Sequence, residues 1–150
     1  MKRLGVSMLE LVFVIVIMGI LAAVALPKLN ATRDDAHIAK GRSDVSAIRA
    51  AIVNERQGRL MKGQSNYINK LHRITTTLFD NNGTTTSTLL QYGIVTKSNS
   101  NGHWQPSATL SGTNWVYKYR IKNVDNTFTY NPTDGTFKCT SGTYCSQLTN

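Results

Sequence analysis

Gly5-Val6-Ser7-Met8-Leu9-Glu10-Leu11-Val12-Phe13-Val14-Ile15-Val16-Ile17-Met18-Gly19-Ile20-Leu21-Ala22-Ala23-Val24-Ala25-Leu26-Pro27 is the stretch that decides the fold. From Leu11 to Leu26 it holds sixteen residues with no charged or strongly polar side chain. Extended back to Val6, the run is 21 residues broken only by Ser7 and Glu10. At 1.5 Å per residue such a helix spans roughly 30 Å, the thickness of a bilayer's hydrocarbon core. In lipid a single segment satisfies its backbone only as a helix. Pro27 should kink or end that helix, because proline lacks an N–H donor and crowds the preceding turn.

An ordinary secretory signal shares some of these features: Lys2 and Arg3 form a basic leader, and Ala23-Val24-Ala25 fits a small-x-small cleavage site. The apolar run is longer than a usual signal core, however, and Glu10 lies inside it. A plain single-pass anchor leaves Glu10 equally unexplained. A carboxylate at the bilayer centre costs about 2.5–3.5 kcal/mol on insertion scales. No cation lies one helical turn away within the segment. The natural partner is therefore a positive charge on another molecule, or a new terminus made by cleavage.

These residues resemble the type IV prepilin and pseudopilin superfamily. Its pattern is a short basic leader, glycine, an apolar residue, Ser or Thr, two apolar residues, glutamate and a long apolar stretch. Here it is Met1-Lys2-Arg3-Leu4-Gly5, Val6-Ser7-Met8-Leu9-Glu10 and the run from Leu11 onward. Val6 stands where the family commonly has Phe, and Pro27 matches a proline common in the family. The resemblance covers about the first 30 residues. It implies an α+β, pilin-like fold, with a long N-terminal transmembrane and amphipathic helix packed on a small C-terminal antiparallel β-sheet. It also implies cleavage between Gly5 and Val6 by a membrane-embedded prepilin peptidase, N-methylation of Val6 by the same enzyme, and assembly through Ser7 and Glu10. Glu10 would neutralise the amine of Val6 on its own or a neighbouring subunit. An unpaired ammonium and an unpaired carboxylate are each costly in low dielectric, so the pair also acts as a register device.

The implied organisation is a leader over 1–5, an assembly helix over 6–27, its amphipathic continuation over 28–62 and a periplasmic globular domain over 63–150. Lys28, Arg33, Lys40 and Arg42 outnumber Lys2 and Arg3, so positive-inside counting favours the opposite orientation. The resemblance, not the count, places the C-terminal domain in the periplasm of a bacterium, with the helix in the inner membrane.

Beyond Pro27, Ile38, Val45, Ile48 and Ile52 recur at spacings of 7, 3 and 4, one helical stripe. The stripe suits packing under the globular domain, with a partner groove as the alternative. Gly58 and Gly63 are stop signals. Tyr67 to Leu78 could hold another short helix. Asn81-Asn82-Gly83 is a turn, Leu89 to Val95 can pack on the long helix, and residues 98–102 form a loop. The last third alternates. Trp115–Ile121, Thr127–Tyr130 and Thr136–Cys139 read as strands of an antiparallel meander. Asp125-Asn126 and Asn131-Pro132-Thr133-Asp134-Gly135 are its turns. In an exported domain, Cys139 and Cys145 read as a disulfide, and two free thiols are the alternative. Pilins often close a C-terminal region this way, usually around a longer loop.

Little chemistry is readable. Gly58-Arg59-Leu60-Met61-Lys62-Gly63-Gln64-Ser65 has the glycine spacing of a P-loop but Gln64 where the phosphate-binding lysine must stand. His37, His72 and His103 read as isolated surface residues. No Cys or His spacing fits a metal site. Asn82-Gly83-Thr84 matches a glycosylation acceptor, and a plain turn explains it as well. The expectation is a non-enzyme without cofactor or metal. The formal charge of +9 is dispersed, and removing Lys2 and Arg3 with a leader leaves +7. It suits a solvated surface, DNA, anionic lipid or acidic proteins. The functions in view are a pseudopilin of a type II secretion machine, a pilin-like subunit for DNA uptake or a true type IV pilus, and a secreted or anchored binding domain. The first two imply a homo-oligomeric filament, other pseudopilins, the peptidase/methyltransferase and an inner-membrane assembly platform as partners. DNA or secreted substrates are further candidates.

Overall fold

The computed structural model describes residues 7–80 and 89–150, with the backbone alone over 26–31. Gly5, Val6 and Asn82, with the turn around Asn82, lie outside the described residues. The chain is α+β. Helix α1 (Met8–Met61) is followed by β1 (Thr77–Leu78), β2 (Ile94–Val95), β3 (His103–Ser111), β4 (Asn114–Ile121), β5 (Val124–Asn131), β6 (Thr136–Ser141) and α2 (Cys145–Thr149). It divides into two units, residues 1–35 and 36–150. Helix α1 does not end at Pro27, contrary to one reading of that residue. An interior proline removes a single ladder bond, and the turns beyond it continue the helix.

Helix α1 ends where its sequence turns left-handed. Gly63 has φ +74°. The Gln64 N–H donates to the Arg59 carbonyl at 2.9 Å and the Gly63 N–H to the Leu60 carbonyl at 3.0 Å. This bond pair is the Schellman closure, which satisfies carbonyls the helix leaves orphaned. Gly58, read as a stop, lies inside the helix instead.

The four strands β3-β4-β5-β6 form one antiparallel meander. Tyr117, Tyr119 and Ile121 alternate inward from β4, and Phe128 and Tyr130 from β5. The expected α1 stripe meets them: Val45, Ile48 and Ile52 are buried in the same core, and Ile38 packs at its margin. Phe79 lies among the rings at 4.9 Å from Trp104 and 5.1 Å from Tyr117. It holds φ +58°, a left-handed conformation that a buried aromatic keeps only when packing overrides the strain.

The turns follow hairpin rules, with one correction. Lys122 and Asn123, at φ +48° and +62°, form the two-residue β4–β5 turn. This is the primed geometry that matches strand twist. Asp125 and Asn126, read as that turn, belong to β5. Fully buried Asn126 accepts from the Tyr144 N–H at 2.9 Å and donates to the Tyr119 carbonyl at 3.3 Å. Strand β3 was not foreseen. Its Pro106 demotes a strand reading and sits within a register shift between Trp104 and Ala108, on an edge strand where proline is tolerated. Nor is there a helix between Tyr67 and Leu78. Residues 62–76 are turns, bends and irregular chain with one antiparallel bridge from His72 to Leu78, and Thr75-Thr76-Thr77 is a poor helix former. Ile68, Leu71 and Leu78 are buried all the same.

The cations of α1 fasten helix to sheet and to the C-terminal segment. Lys40 Nζ donates to the Gly102 carbonyl at 2.7 Å and Arg49 Nε to the Phe137 carbonyl at 3.1 Å. Arg42 donates twice to the Gln147 carbonyl, at 3.0 and 2.8 Å. Tyr119 returns a bond from the sheet, its hydroxyl donating to the His37 carbonyl at 2.8 Å. Cys139 and Cys145 are joined by a disulfide with 5.4 Å between their Cα atoms.

Close approach at Gly41 makes this packing possible. A Cβ there would stand 2.5 Å from Tyr119 Cε1 and 2.6 Å from Leu148 Cδ2. Gly41→Ala should therefore destabilise the second unit by about 1–2 kcal/mol, although propensity alone favours alanine in a helix by about 1 kcal/mol. Thermal melting followed by near-UV circular dichroism checks the sign; a rise in Tm would refute the close packing. Cys139→Ser should cost about 2 kcal/mol, from the loop-closure entropy of so short a ring. Denaturant titration under oxidising conditions measures it.

Candidate functional site

Ser7 and Glu10, the residues expected to act in assembly, lie within the described chain, and what the structure shows of them is local. The Leu9 N–H donates to Ser7 Oγ at 3.3 Å and the Leu11 N–H to the Ser7 carbonyl at 3.0 Å. Ser7 is thus the N-cap of α1, and Glu10 is the acid of its first turn. Ser-x-x-Glu is the spacing of a capping box, in which the glutamate can also reach back to the cap's N–H. That signal is carried by the sequence itself. An acid in the first turn gains typically 0.3–1 kcal/mol from the helix dipole.

Nothing in its own unit covers the apolar surface that follows. Met8–Ala25 has mean hydropathy 2.8 and none of it is buried, which makes it long and apolar enough to cross a membrane. Leu9, Phe13, Ile20 and Leu21 are each more than 60% exposed, a surface that water penalises and that lipid or other helices would cover. Among the described residues, the Glu10 side chain makes no hydrogen bond or ion pair with its own chain.

Elsewhere the histidines depart from the reading of isolated surface groups. His72 is 5% exposed. Tyr117 Oη accepts the Leu71 N–H at 3.2 Å and shares a hydrogen bond with His72 Nδ1 at 3.0 Å. The ring also stands edge-on to Trp115 at 4.9 Å. Burial, and then the Lys70 cation, hold His72 below its ordinary value, with Asp80 acting the other way. The partner is 45 residues away in the chain, so no local pattern announces it. His37 and His103 are half-buried, at the start of the sheet-packed part of α1 and of β3. Close by, Trp104 Nε1 donates to Asp44 Oδ2 at 3.0 Å, and burial pushes the Asp44 carboxyl up.

The Tyr117, Tyr119 and Tyr130 hydroxyls are all pushed far up by burial, which keeps them neutral donors. Among the described residues, no group of three or more His, Cys, Asp or Glu side chains is placed to hold a metal ion. The chain matches no family model, no curated protein and no solved structure.

A histidine held low in the fold stabilises it above the unfolded pKa, and that contribution is lost as pH falls through the folded value. The second unit should therefore lose Tm as the pH drops from about 7 to about 5. His72→Gln, whose amide oxygen can accept from Tyr117, should flatten that loss. An unchanged pH profile in the variant would sink the assignment.

Proposed function

We propose that this chain is a structural subunit of a filament of the type IV pilin class, in the first instance a pseudopilin of a type II secretion machine. The observation that carries the reading is Glu10. It is an acid one turn into an apolar helix that is exposed throughout and long enough to span a membrane, with no partner on its own chain among the described residues. Cleavage after Gly5 would release the α-amine of Val6, and methylation would keep that amine cationic. The ammonium of one subunit and Glu10 of the same or the next would then meet in low dielectric, where each alone is costly. A subunit out of register would leave both unpaired. Ser7 holds the first turn of the helix in shape, which fixes where Glu10 projects.

Two further features support the reading. The Cys139–Cys145 disulfide suits an exported domain in the periplasm. An apolar helix N-terminal to an antiparallel α+β unit also has the order a pilin-like subunit requires. A subunit for DNA uptake or a true type IV pilus is the second reading. It draws on the formal charge of +9, since phosphate contacts dominate non-specific DNA affinity.

Glu10→Val should leave membrane insertion and leader removal intact and abolish filament assembly, scored by electron microscopy and shear fractionation. Normal filaments from that variant refute the role of Glu10. Mass analysis of the N-terminus from native cells should find N-methyl-Val6; a chain beginning at Leu26 would instead mark a secretory signal.

A further inference from the structure

The two edges of the four-stranded sheet are finished differently. Strands β3 and β6 are its outer members. Along β6, Arg49 Nε donates to the Phe137 carbonyl at 3.1 Å, Cys139 is tied to Cys145, and α2 packs beside the strand. Along β3, only the first half is covered among the described residues. There the Lys97 N–H donates to the Trp104 carbonyl at 3.0 Å and the Asn99 N–H to Gln105 Oε1 at 2.9 Å. Thr109, Leu110 and Ser111 are exposed, Leu110 at 59%.

The register says which main-chain groups of this second half are open. Gly112 and Thr113 form a two-residue turn between Ser111 and Asn114, with Gly112 at φ +63°. Residues flanking such a turn exchange main-chain bonds, and bonded and non-bonded pairs then alternate along the ladder. Ser111 and Thr109 therefore bond to Asn114 and Val116 of β4. The N–H and C=O groups of Ala108 and Leu110 point the other way, and no main-chain group among the described residues meets them. Pro106, inside the register shift between Trp104 and Ala108, has no N–H to offer, so the open stretch ends there.

An unpaired edge is a template for another strand, and a charge in the exposed part is a common protection. Here no charged residue lies between Trp104 and Tyr117. Residues 36–150 as a whole carry thirteen Lys and Arg against five Asp and Glu. Two copies of that unit repel each other broadly, and least where charge is absent. Ser107-Ala108-Thr109-Leu110-Ser111 also reads nearly the same in both directions about Thr109.

We propose that this edge pairs antiparallel with the same edge of a second copy, about a two-fold axis through Thr109. The open groups of Ala108 on one copy then meet those of Leu110 on the other, as hydrogen-bonded pairs. Thr109 faces its own counterpart in the closer, non-bonded position. Threonine opposite threonine is a favourable cross-strand pair. Ala108 packs at the margin of the core, and Leu110 stands opposite Trp115, which does the same. Leu110 of one copy thus covers Ala108 of the other and is itself removed from water.

A two-fold of this kind stands perpendicular to the sheet. The sheet-packed parts of α1 in the two copies therefore run in opposite directions on one side of the joined sheet. Copies along a filament lie parallel, so this contact differs from the one Glu10 would make and does not rest on the filament reading. Five residues a side bury less than a stable free dimer needs, so the pair is read by trapping it.

The test is mild oxidation of single-cysteine additions to the full-length protein in non-ionic detergent. Yields are read on non-reducing gels, and mass spectrometry counts any link through Cys139 or Cys145 apart. Thr109→Cys should give a disulfide-linked dimer, because Cα atoms in the non-bonded position lie about 4.5 Å apart, within disulfide reach. Ser111→Cys, also exposed, would stand roughly 13 Å from its counterpart and should link at least about fivefold less. Adding Leu110→Lys to Thr109→Cys should cut the yield about fivefold or more, since a charge on an open edge blocks strand addition. Adding Val53→Lys instead, at an apolar residue of α1 that is 55% exposed, should leave it unchanged. The proposal is overturned if Thr109→Cys stays monomeric, if Ser111→Cys links as well, or if Leu110→Lys and Val53→Lys act alike. In the Glu10→Val background the Thr109→Cys link should persist; its loss would assign it to filament packing and overturn the edge contact. Filament assembly is scored separately by electron microscopy, so failure here leaves the Glu10 reading standing.

Discussion

The second unit depends on one seam, where the Val45, Ile48 and Ile52 stripe of α1 lies against the aromatic inner face of the meander. Four strands alone would leave Tyr117, Tyr119, Phe128 and Tyr130 facing water, and half a helix alone would leave its stripe bare. Burying them together supplies the apolar contact that offsets the entropy of ordering both. The approach is close because Gly41 has no side chain to hold Tyr119 and Leu148 away. Edge-on and tilted ring pairs around Phe79 and Trp104 then fix the layers laterally.

Polar fasteners at the margins of the seam do a different kind of work. Lys40, Arg42 and Arg49 reach main-chain carbonyls of loop, C-terminal helix and strand. Tyr119 and Tyr130 donate to the carbonyls of His37 and Ile68. Each such bond contributes modestly, and those to Gly102 and Ile68 also satisfy carbonyls that lie outside helix and strand. Basic residues that sequence composition presents as a charged surface are, on α1, largely structural.

The first unit poses the opposite problem. Met8–Ala25 is a helix with no core of its own. Its physics is that of a surface awaiting lipid or other helices, and Glu10 is the one charged group the surface carries. A filament of such helices would use dispersion and apolar burial for cohesion and a single ion pair for register. Cohesion and specificity would then rest on different residues.

Local rules were enough for several features. Apolar length and composition marked a helix long and apolar enough to cross a membrane, and a 3.6-residue period exposed the stripe from Ile38 to Ile52. Two-residue alternation exposed the strands around Trp115, Phe128 and Phe137, and the pair Cys139 and Cys145 could be read as a disulfide. These depend on neighbours a few residues apart. The Ser7–Glu10 cap is equally local, a signal carried by residues three apart.

Tertiary structure alone decided the rest. It buried His72 against Tyr117, moved the hairpin turn from Asp125-Asn126 to Lys122-Asn123, and made His103–Ser111 a strand despite Pro106. It also kept residues 62–76 out of a helix and set Lys40 Nζ on the Gly102 carbonyl. Each of these outcomes turns on partners dozens of residues apart in the chain, or on strand register. Neither is encoded in a local period, because both are fixed only when the sheet closes over the helix.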